Sequence, residues 1–561
     1  GVDLFVATQW LHVDRDQVAD CLGMDPDLVR VTLAGVGGAF GAREDLSLHV
    51  HLCMLALHTG RPVKMVYSRQ ESFYGHVHRH PASMWYRHHA ESDGTLVRVE
   101  ARLLLDGGAY ASSSSAVIAN ATCFAAGPYR VPSADIDGVV VRTNNPPCGA
   151  MRGFGAVQTC MAHEAQMDRL AVALDMDPIQ LRLKNALAPG DRLLTGQVLT
   201  GTLPVAEVIR TCAEHPSAAV GSDEPMTRPG GAGRTADADH VVRGEALAVG
   251  FKNLMFSEGF DDSSAARCEL RDGVATITCA CAEVGQGFVT LVGQITREVL
   301  GVDEVVLAPV DTMGIGSAGS TSASRQTWMS GGAVQKACEE VRAAVVARVA
   351  VTHDVPVDDL VVVEGRVESL SGRVSVDLVE VTAEPLSADV VHRHAPTSPL
   401  DDDGQGDAHV SFAVSAHRAI VDVDPDLGLV RVVELTTSQD VGRVLNPVQA
   451  VGQLEGGAAQ GVGLAVMEEV LVVDGRIRNA SFTDYLVPTA MDMPPVEIAA
   501  LIEQPEPGAP FGAKGIGEPP CISSTAAVVG ALRDATGLEL VRVPVRPADI
   551  ALADASAEAG L

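Results

Sequence analysis

The chain has 561 residues and a formal charge of −31, and 47% of its residues are hydrophobic. This length predicts roughly two to four folded domains. The acidic balance argues against nucleic acid or an anionic membrane as the main partner, because both attract clusters of Lys and Arg. No stretch resembles a transmembrane span or a secretory signal, so the expected location of the protein is the cytoplasm.

The first part of the chain alternates strand and helix patterns. Strand-like runs cover 29–33, 97–105 and 138–142, and a helical pattern covers 157–174. The chain opens in another strand-like run, 3–8, with no preceding turn. This opening predicts that the N-terminal part of the first domain is missing or lies on another chain. A stretch rich in Pro, Gly and Asp follows at 216–245, and its lack of apolar periodicity predicts a linker.

A second mixed region follows the linker. Strand candidates lie at 246–251, 275–281 and 305–310, and strands resume at Ala419 and Leu429. A helical pattern at 332–350 places five apolar residues on one face: Val334, Cys338, Val341, Val345 and Val349. The polar stretch 394–409 predicts an acidic surface loop. The sequence therefore predicts an α+β fold with two large mixed domains, 1–215 and 246–561.

The cysteines and histidines do not form a metal-binding pattern. The 11 cysteines stand singly except for Cys279 and Cys281, so neither a zinc ribbon nor an iron–sulfur cluster is predicted, and reduced, mostly buried thiols are expected. His76, His78 and His80 alternate as in a strand. No carboxylate or cysteine accompanies them at ligand spacing, which favours a polar strand face.

The most informative residue is Glu518, in the glycine-dense run 512–520, GAKGIGEPP. Glycines let the backbone approach a bulky ligand, and Pro519 fixes the turn that presents the carboxylate. Glu518 could act as a general base or could cap the helix predicted to begin near Ile522. Lys514 in the same run also stands out, because the chain has few lysines.

Three other glycine-rich loops carry one charged or polar side chain each. They are 37–44 (GGAFGARE), 151–158 (MRGFGAVQ) and 283–290 (EVGQGFVT). Together with the Glu518 loop they predict a composite pocket in which backbone amides surround a large anionic ligand. The segment 320–327, STSASRQT, is dense in hydroxyl and amide donors before a helix, and either a phosphate grip or an ordinary N-cap explains it.

The segment 314–319, GIGSAG, matches the dinucleotide fingerprint GxGxxG but lacks its context. The polar stretch 320–327 separates it from the next helix, and the acidic pair at the expected offset, Glu339 and Glu340, lies within a helix rather than at a strand end. Nicotinamide binding here is therefore a weak alternative.

In this order the four loops resemble those of the molybdenum-binding subunits of the xanthine dehydrogenase and aldehyde oxidase family, the molybdenum hydroxylases. The family patterns GGxFGxKE, RGFGxPQ, ExGQGxxT and GxKGxGEPP recur over nearly the whole chain, with Arg43 in place of lysine and Val157 in place of proline. The likeness is greatest to bacterial xanthine dehydrogenases whose molybdenum subunit is a separate chain.

The resemblance implies a role for particular residues. Glu518 falls on the catalytic base, and Glu44, Asn120 and Phe154 fall on substrate-contacting positions. Asn120 stands where animal enzymes carry an arginine, and an amide cannot supply the cation that a purine meets there. The implied cofactor contacts are Gln9, Gly38, Phe40, Arg152, Gly285, Gln286, Ala323, Ser324, Gln326 and Gln453.

The resemblance also implies the reaction and its partners. Molybdenum would be held through the pterin dithiolene, with no protein ligand, and the pterin could carry a cytosine nucleotide. The implied activity is hydroxylation of hypoxanthine or xanthine to urate, with water as the oxygen source. Electrons would pass to partner subunits carrying 2Fe-2S clusters and FAD, in a cytoplasmic complex such as a dimer of heterotrimers. An aldehyde or another N-heterocycle is the alternative substrate, and a cofactor-free assembly subunit is the alternative function.

Overall fold

The computed structural model describes residues 1–217 and 240–553. Its strands are β1 (Val2–Val6), β2 (Val29–Leu33), β3 (Ala82–Ala90), β4 (Leu96–Gly108), β5 (Ser133–Arg142), β6 (Val242–Leu254), β7 (Ser263–Arg271), β8 (Val274–Cys279), β9 (Val305–Leu307), β10 (Leu360–Val363), β11 (Arg366–Ser369), β12 (Ser375–Asp377), β13 (Leu386–Arg393), β14 (Ser411–Asp424), β15 (Leu429–Asp440), β16 (Val472–Val473), β17 (Arg476–Ile477) and β18 (Val496–Ile502).

The α-helices are α1 (Leu11–Leu22), α2 (His49–Thr59), α3 (Arg69–Gly75), α4 (Ser114–Cys123), α5 (Ala156–Leu174), α6 (Pro178–Asn185), α7 (Val205–Glu214), α8 (Phe288–Leu300), α9 (Gln326–His353), α10 (Leu378–Val381), α11 (Pro447–Val466), α12 (Ile522–Thr536) and α13 (Pro547–Ala551). The chain forms two compact units, each discontinuous in sequence. Unit 1 comprises Gly1–Val66, Met255–Thr397 and Gly508–Gly515, and unit 2 comprises Tyr67–Leu254, Ser398–Pro507 and Ile516–Leu561.

Unit 1 is built around a sheet in the order β13-β7-β8-β9, in which only β8 and β9 pair in parallel. Helix α9 packs against β7 and β13. The five apolar residues predicted to share one face of this helix are all buried, which confirms the prediction: Val334, Cys338, Val341, Val345 and Val349. A parallel pair, β1 and β2, and a small antiparallel sheet, β10-β11-β12, complete the unit's strands among the described residues.

Unit 2 contains a sheet in the order β18-β15-β14-β6 and a second sheet in the order β3-β4-β5. Strand β14 is buried along its whole length. Phe412, Val414 and Ala416 pack in a core with residues of α7, while the alternate residues Ala419 and Val421 pack in another core with α12. Successive side chains of a strand point to opposite faces, so helices cover both faces of this sheet.

The predicted α+β class is confirmed, and so are the predicted strands and helices within these bounds. Residues 394–409 form a loop with an exposed acidic run at Asp401, as expected. The predicted strand at His76, His78 and His80 is wrong, because these residues lie between α3 and β3. His80 is buried, and its Nε2 lies 2.8 Å from Ser114 Oγ of α4. This histidine is therefore hydrogen-bonded inside the unit and does not lie on a partly exposed strand face.

The predicted linker at 216–245 falls largely outside the described residues, since 218–239 are not described, and β6 already begins at Val242. The division into 1–215 and 246–561 stays a prediction. All 11 cysteines are free and most are buried, as expected. Within the described residues, none of the helices combines the length and apolar character needed to cross a bilayer.

Glu164 on α5 joins α6 and β6 inside unit 2. One carboxylate oxygen accepts hydrogen bonds from Arg182 Nε at 2.9 Å and from the Val249 N–H at 3.0 Å, and the other accepts one from the Tyr129 hydroxyl at 2.7 Å. Burial opposes ionisation of Glu164, but the charge of Arg182, together with His163, lowers the pKa of Glu164 to about 2.

Glu164→Gln is expected to lower the free energy of unfolding by about 3 kcal/mol, because the buried Arg182 keeps only part of its charge compensation. The stability that ionised Glu164 contributes should be lost as pH falls from the ordinary Glu value of 4.5 towards 2, since the folded-state pKa is the lower one. Urea unfolding at several pH values checks both points. Glu214→Gln, at an exposed glutamate, serves as control. If Glu164→Gln lowers the free energy of unfolding by less than about 1 kcal/mol, the prediction is contradicted.

Candidate active site

Glu518 is a buried carboxylate of unit 2. The residue follows the glycine run and is 8% exposed. Oε1 accepts a hydrogen bond from the Gly153 N–H at 3.1 Å, and Oε2 lies 3.6 Å from Lys252 Nζ. Among the described residues, Glu518 makes no side-chain capping hydrogen bond to the short 3-10 turn Pro519–Cys521. The helix-cap interpretation is therefore wrong, because this carboxylate is held by a distant glycine loop instead.

Arg152 fastens the backbone on which Glu518 stands. Its Nε donates to Gly517 O, its Nη2 donates to Gln453 O at 3.1 Å, and its Nη1 donates to Gln460 Oε1 at 3.3 Å. Burial lowers the pKa of Arg152, although Cys521 and Glu518 oppose the shift. The guanidinium thereby links the loop at 151–158, helix α11 and the Glu518 loop.

Helix α11 presents a glycine stripe to the segment after Glu518. A Cβ at Gly457 would collide with Pro520, and a Cβ at Gly461 would collide with Ser524. On the sheet side, Ser415 Oγ of β14 donates to Pro519 O at 2.8 Å. The Glu518 loop therefore packs between the glycines of α11 and the buried strand β14. This packing on two sides fixes the direction of the Glu518 side chain.

Phe154 and Asn120 are the predicted substrate contacts in unit 2. Phe154 has a left-handed backbone, φ 42°, in the turn before α5, and Lys252 Nζ lies 5.9 Å from its ring centroid. Asn120 lies on α4 and is 7% exposed. Its Oδ1 has no hydrogen-bond partner among the described residues. A buried acceptor without a donor is costly, so this amide suits a ligand that donates a hydrogen bond.

In unit 1, Gln9 ties two of the predicted loops together. Its Nε2 donates to Thr321 O at 2.6 Å, and its Oε1 accepts from the N–H groups of Gly41 and Arg43, both at 3.1 Å. Glu44 extends this tie, because one of its carboxylate oxygens accepts from Ser320 Oγ at 2.8 Å. The loop at 37–44 and the segment 320–327 therefore form one hydrogen-bonded surface.

The predicted contact residues of unit 1 include several left-handed backbones. Phe40 has φ 56°, Ala323 has φ 49° and Ser324 has φ 48°. Such conformations cost roughly 1–3 kcal/mol in non-glycine residues and cluster at functional sites. A Cβ at Gly38, φ 93°, would lie 3.2 Å from the Phe40 ring, and a Cβ at Gly515 would collide with Ser324 O. Close approach therefore requires a glycine at 515, and the positive φ favours one at 38.

The segment 320–327 leads into helix α9, but none of its hydroxyl groups caps the helix in the described structure. The N-cap position is Arg325, without a side-chain cap bond in the described structure. Gln326 Nε2 donates to Ser320 O at 2.8 Å. Ser322 Oγ is buried and has no hydrogen-bond partner among residues 1–217 and 240–553. The N-cap interpretation is wrong, and a buried hydroxyl donor remains for a ligand.

The loop at 283–290 is organised by its own side chains. Glu283 Oε1 accepts from the N–H groups of Gly285 and Gly287 at 2.8 and 3.1 Å, and Gln286 Nε2 donates to Ala282 O at 3.0 Å. The Glu283 carboxylate thus occupies the N-terminal end of α8. The space above Gly285 is open. Contact of Gly285 and Gln286 with a cofactor stays a prediction.

The predicted site residues are found in both units, and each is assigned here to its own. Unit 1 holds Gln9, Gly38, Phe40, Glu44, Gly285, Gln286, Ala323, Ser324 and Gln326, and unit 2 holds Asn120, Arg152, Phe154, Gln453 and Glu518. Lys252, beside Glu518, was not predicted from the sequence. The sequence did contain a signal for it. Lys252 directly follows the apolar strand candidate 246–251, and lysines are few in this chain.

The chain has relatives among known proteins. Two family models described as molybdopterin cofactor-binding domains match residues 1–186 and 228–494. A Bacillus subtilis protein named as a probable xanthine dehydrogenase subunit is 30% identical over 97% of this chain and 71% of its own length. The nicotinate dehydrogenase large molybdopterin subunit of Eubacterium barkeri is 45% identical over 37% of this chain and 49% of its own length.

A solved structure, the aldehyde oxidoreductase of Desulfovibrio gigas, has the same fold. It superposes with a TM-score of 0.86 at 28% identity, over 98% of this chain and 57% of that chain. The present chain therefore spans little more than half of that enzyme.

Proposed function

Since the chain belongs to the molybdenum-binding subunits of the xanthine dehydrogenase and aldehyde oxidase family, we propose that it hydroxylates an electron-poor carbon of a purine, hypoxanthine or xanthine. The family resemblance carried by the four glycine-rich loops is confirmed. The observation that carries the proposed activity is the buried Glu518 carboxylate, fixed by the Gly153 N–H in a loop that Arg152 fastens. We further propose that 1–215 and 246–561 are the two molybdopterin-binding domains.

The residues present fit a molybdopterin. Its anionic phosphate needs donors, and Ser322 offers a buried hydroxyl without a partner among the described residues. A flat pterin needs backbone that can be approached closely, and no atom lies within 4 Å of a Cβ built on Gly285. The dithiolene holds the metal, so the protein need supply no ligand cluster. The proposed cofactor is molybdopterin in its simple or its cytosine dinucleotide form.

The chain's own residues would divide the work. When bound, the cofactor supplies two-electron oxidation of the substrate with oxygen taken from water. Glu518 accepts a proton at Oε2 while Oε1 stays on the Gly153 N–H. Phe154 packs on the substrate ring, Glu44 accepts hydrogen bonds from its N–H groups, and the amide of Asn120 donates or accepts one more.

The reaction converts the substrate R–H and H₂O into R–OH, two protons and two electrons, and an acceptor takes the electrons. The electrons pass to partner subunits that carry 2Fe-2S clusters and FAD, since the 11 cysteines of this chain lack cluster spacing. We propose that the complex lies in the cytoplasm and that it assembles as a dimer of heterotrimers. Anaerobic incubation of the complex with hypoxanthine and xanthine, followed by product identification, tests the activity. Absence of molybdenum from the purified complex would leave only the assembly-subunit alternative.

A second substrate class has its own support. Asn120 cannot supply the cation that an arginine would offer a purine, and the 45% identity to the nicotinate enzyme covers part of this chain. An N-heterocycle such as nicotinate, or an aldehyde, is therefore the competing substrate within the same chemistry.

Glu44→Ala is expected to separate these substrates. If Glu44 accepts hydrogen bonds from a purine, kcat/KM for hypoxanthine should fall about 10–100-fold, because a hydrogen bond to a charged group contributes about 1.5–3 kcal/mol. Activity on an aldehyde should change little.

Ser320→Ala is the matched control, because it removes the Ser320 hydroxyl from Glu44 and keeps the carboxylate. It should leave the preference between the two substrates unchanged. An equal loss of both activities in Glu44→Ala would contradict a purine-orienting role.

A further inference from the structure

Lys252 is a nearly fully buried lysine in the middle of unit 2. It lies on β6, opposite Ala413 of β14, and is 1% exposed. Burying an ammonium is costly unless an anion compensates it, because the charge loses its hydration. The burial of Lys252 therefore calls for a specific electrostatic partner.

The surroundings of the Lys252 ammonium identify that partner. Nζ lies 3.6 Å from Glu518 Oε2, donates to Asn253 Oδ1 at 3.2 Å, and lies 5.9 Å from the ring centroid of Phe154. A separation of 3.6 Å is an ion pair and is too long for a hydrogen bond. Lys252 therefore acts on the Glu518 carboxylate through its charge.

The guanidinium groups of Arg152 and Arg79 also lie near Glu518. Arg152 donates to Gly517 O and Gln453 O. Arg79 Nη2 donates to Arg152 O at 2.7 Å. These guanidinium groups hold the loop in place, whereas the ammonium of Lys252 faces the carboxylate oxygen itself.

Three further titratable groups near the pair are His409, Cys521 and Glu468. Burial, reinforced by Lys252, lowers the pKa of His409 to about 3, so the imidazole is neutral. Burial raises the pKa of Cys521, so the thiol is protonated. Glu468, whose pKa burial raises, accepts a hydrogen bond from Tyr485 and lies on the side of Arg79.

We propose that Lys252 is a positioning residue for the base: its ammonium, 3.6 Å from Oε2, orients the Glu518 carboxylate and stabilises its negative charge. This inference rests on the proposed function, since it concerns Glu518 as the proton acceptor. Lys252 lies outside the four glycine-rich loops. The inference gives this residue control over the pH range in which the enzyme works.

The test is the pH dependence of kcat/KM for the holo-complex carrying Lys252→Met. Loss of a neighbouring cation disfavours the negative charge of the carboxylate, so the acid limb should move to higher pH by about one unit or more. Activity should recover at high pH, where the carboxyl ionises again. Lys252→Arg keeps the charge and should return the limb towards its original position. Lys184→Met, at a partly exposed lysine, is the control.

A purely structural role for Lys252 would lower kcat/KM equally at every pH and leave the limb in place, and that result would overturn the inference. The proposed function fails separately, if the wild-type complex lacks molybdenum-dependent turnover or if Glu518→Gln remains active.

A second measurement covers variants with poor activity. Thermal unfolding of Lys252→Met, Glu518→Gln and the double variant forms a double-mutant cycle. Each single change leaves one buried partner uncompensated, so the double variant should be more stable than the sum of the single losses predicts. Additive losses would show that the two residues are not coupled.

Discussion

Glu518→Gln is expected to leave molybdenum bound and to lower kcat by at least about 10²–10⁴-fold, the usual contribution of a positioned general base. The amide keeps the size of the side chain and can still accept the hydrogen bond from the Gly153 N–H, so the loop should hold its shape. It cannot accept the proton. Metal analysis and steady-state turnover of the same preparation measure the two effects.

The control for this variant is Glu214→Gln, an exposed glutamate at the end of α7, which should change neither quantity. Near-normal turnover in Glu518→Gln would show that another group takes the proton. Loss of molybdenum together with turnover would instead assign Glu518 to cofactor retention, against the proposal.

Arg152→Lys is expected to lower kcat by about 10²-fold with a smaller change in KM. A guanidinium can bond Gly517 O, Gln453 O and Gln460 Oε1 at once from a planar fork, whereas an ammonium has a different geometry and a shorter reach. The Gly517 carbonyl precedes Glu518 directly, so its release lets the base drift, and a displacement of about 1 Å can cost about 10²-fold.

Arg210→Lys on the exposed face of α7 is the matched control for this change. Crystal structures of the two variants would show whether the Glu518 loop has moved. Full activity in Arg152→Lys would mean that α11 and β14 position the loop without the guanidinium.

The parts of the fold that depend on local pattern were predictable. Strand 29–33 and the start of α12 at Ile522 follow from apolar periodicity and from the prolines before the helix. The first half of β14 was not predicted, because Ser415 and His417 are polar. They are buried there because Ser415 Oγ donates to Pro519 O and His417 Nδ1 lies 2.8 Å from Ser523 Oγ.

The loops of the candidate site could be chosen from the sequence, but the contacts that these loops make could not. Glycine-rich motifs indicated which loops carry the site residues. The bond from the Gly153 N–H to Glu518 joins residues far apart in sequence, and no local pattern encodes it. Lys252 escaped prediction for a related reason. A strand residue next to an apolar run gives no sign of its partner until the fold brings Glu518 beside it.

The glycine stripe of α11 also affects how this part of the molecule folds. Each glycine in a helix interior costs about 1 kcal/mol relative to alanine, and α11 contains Gly452, Gly456, Gly457, Gly461 and Gly463. Such a helix has little stability of its own and gains it by docking on the segment around Pro520 and Ser524. We therefore expect helix α11 and the Glu518 loop to form one cooperative folding unit, so that the Glu518 carboxylate is in place only when this helix is formed.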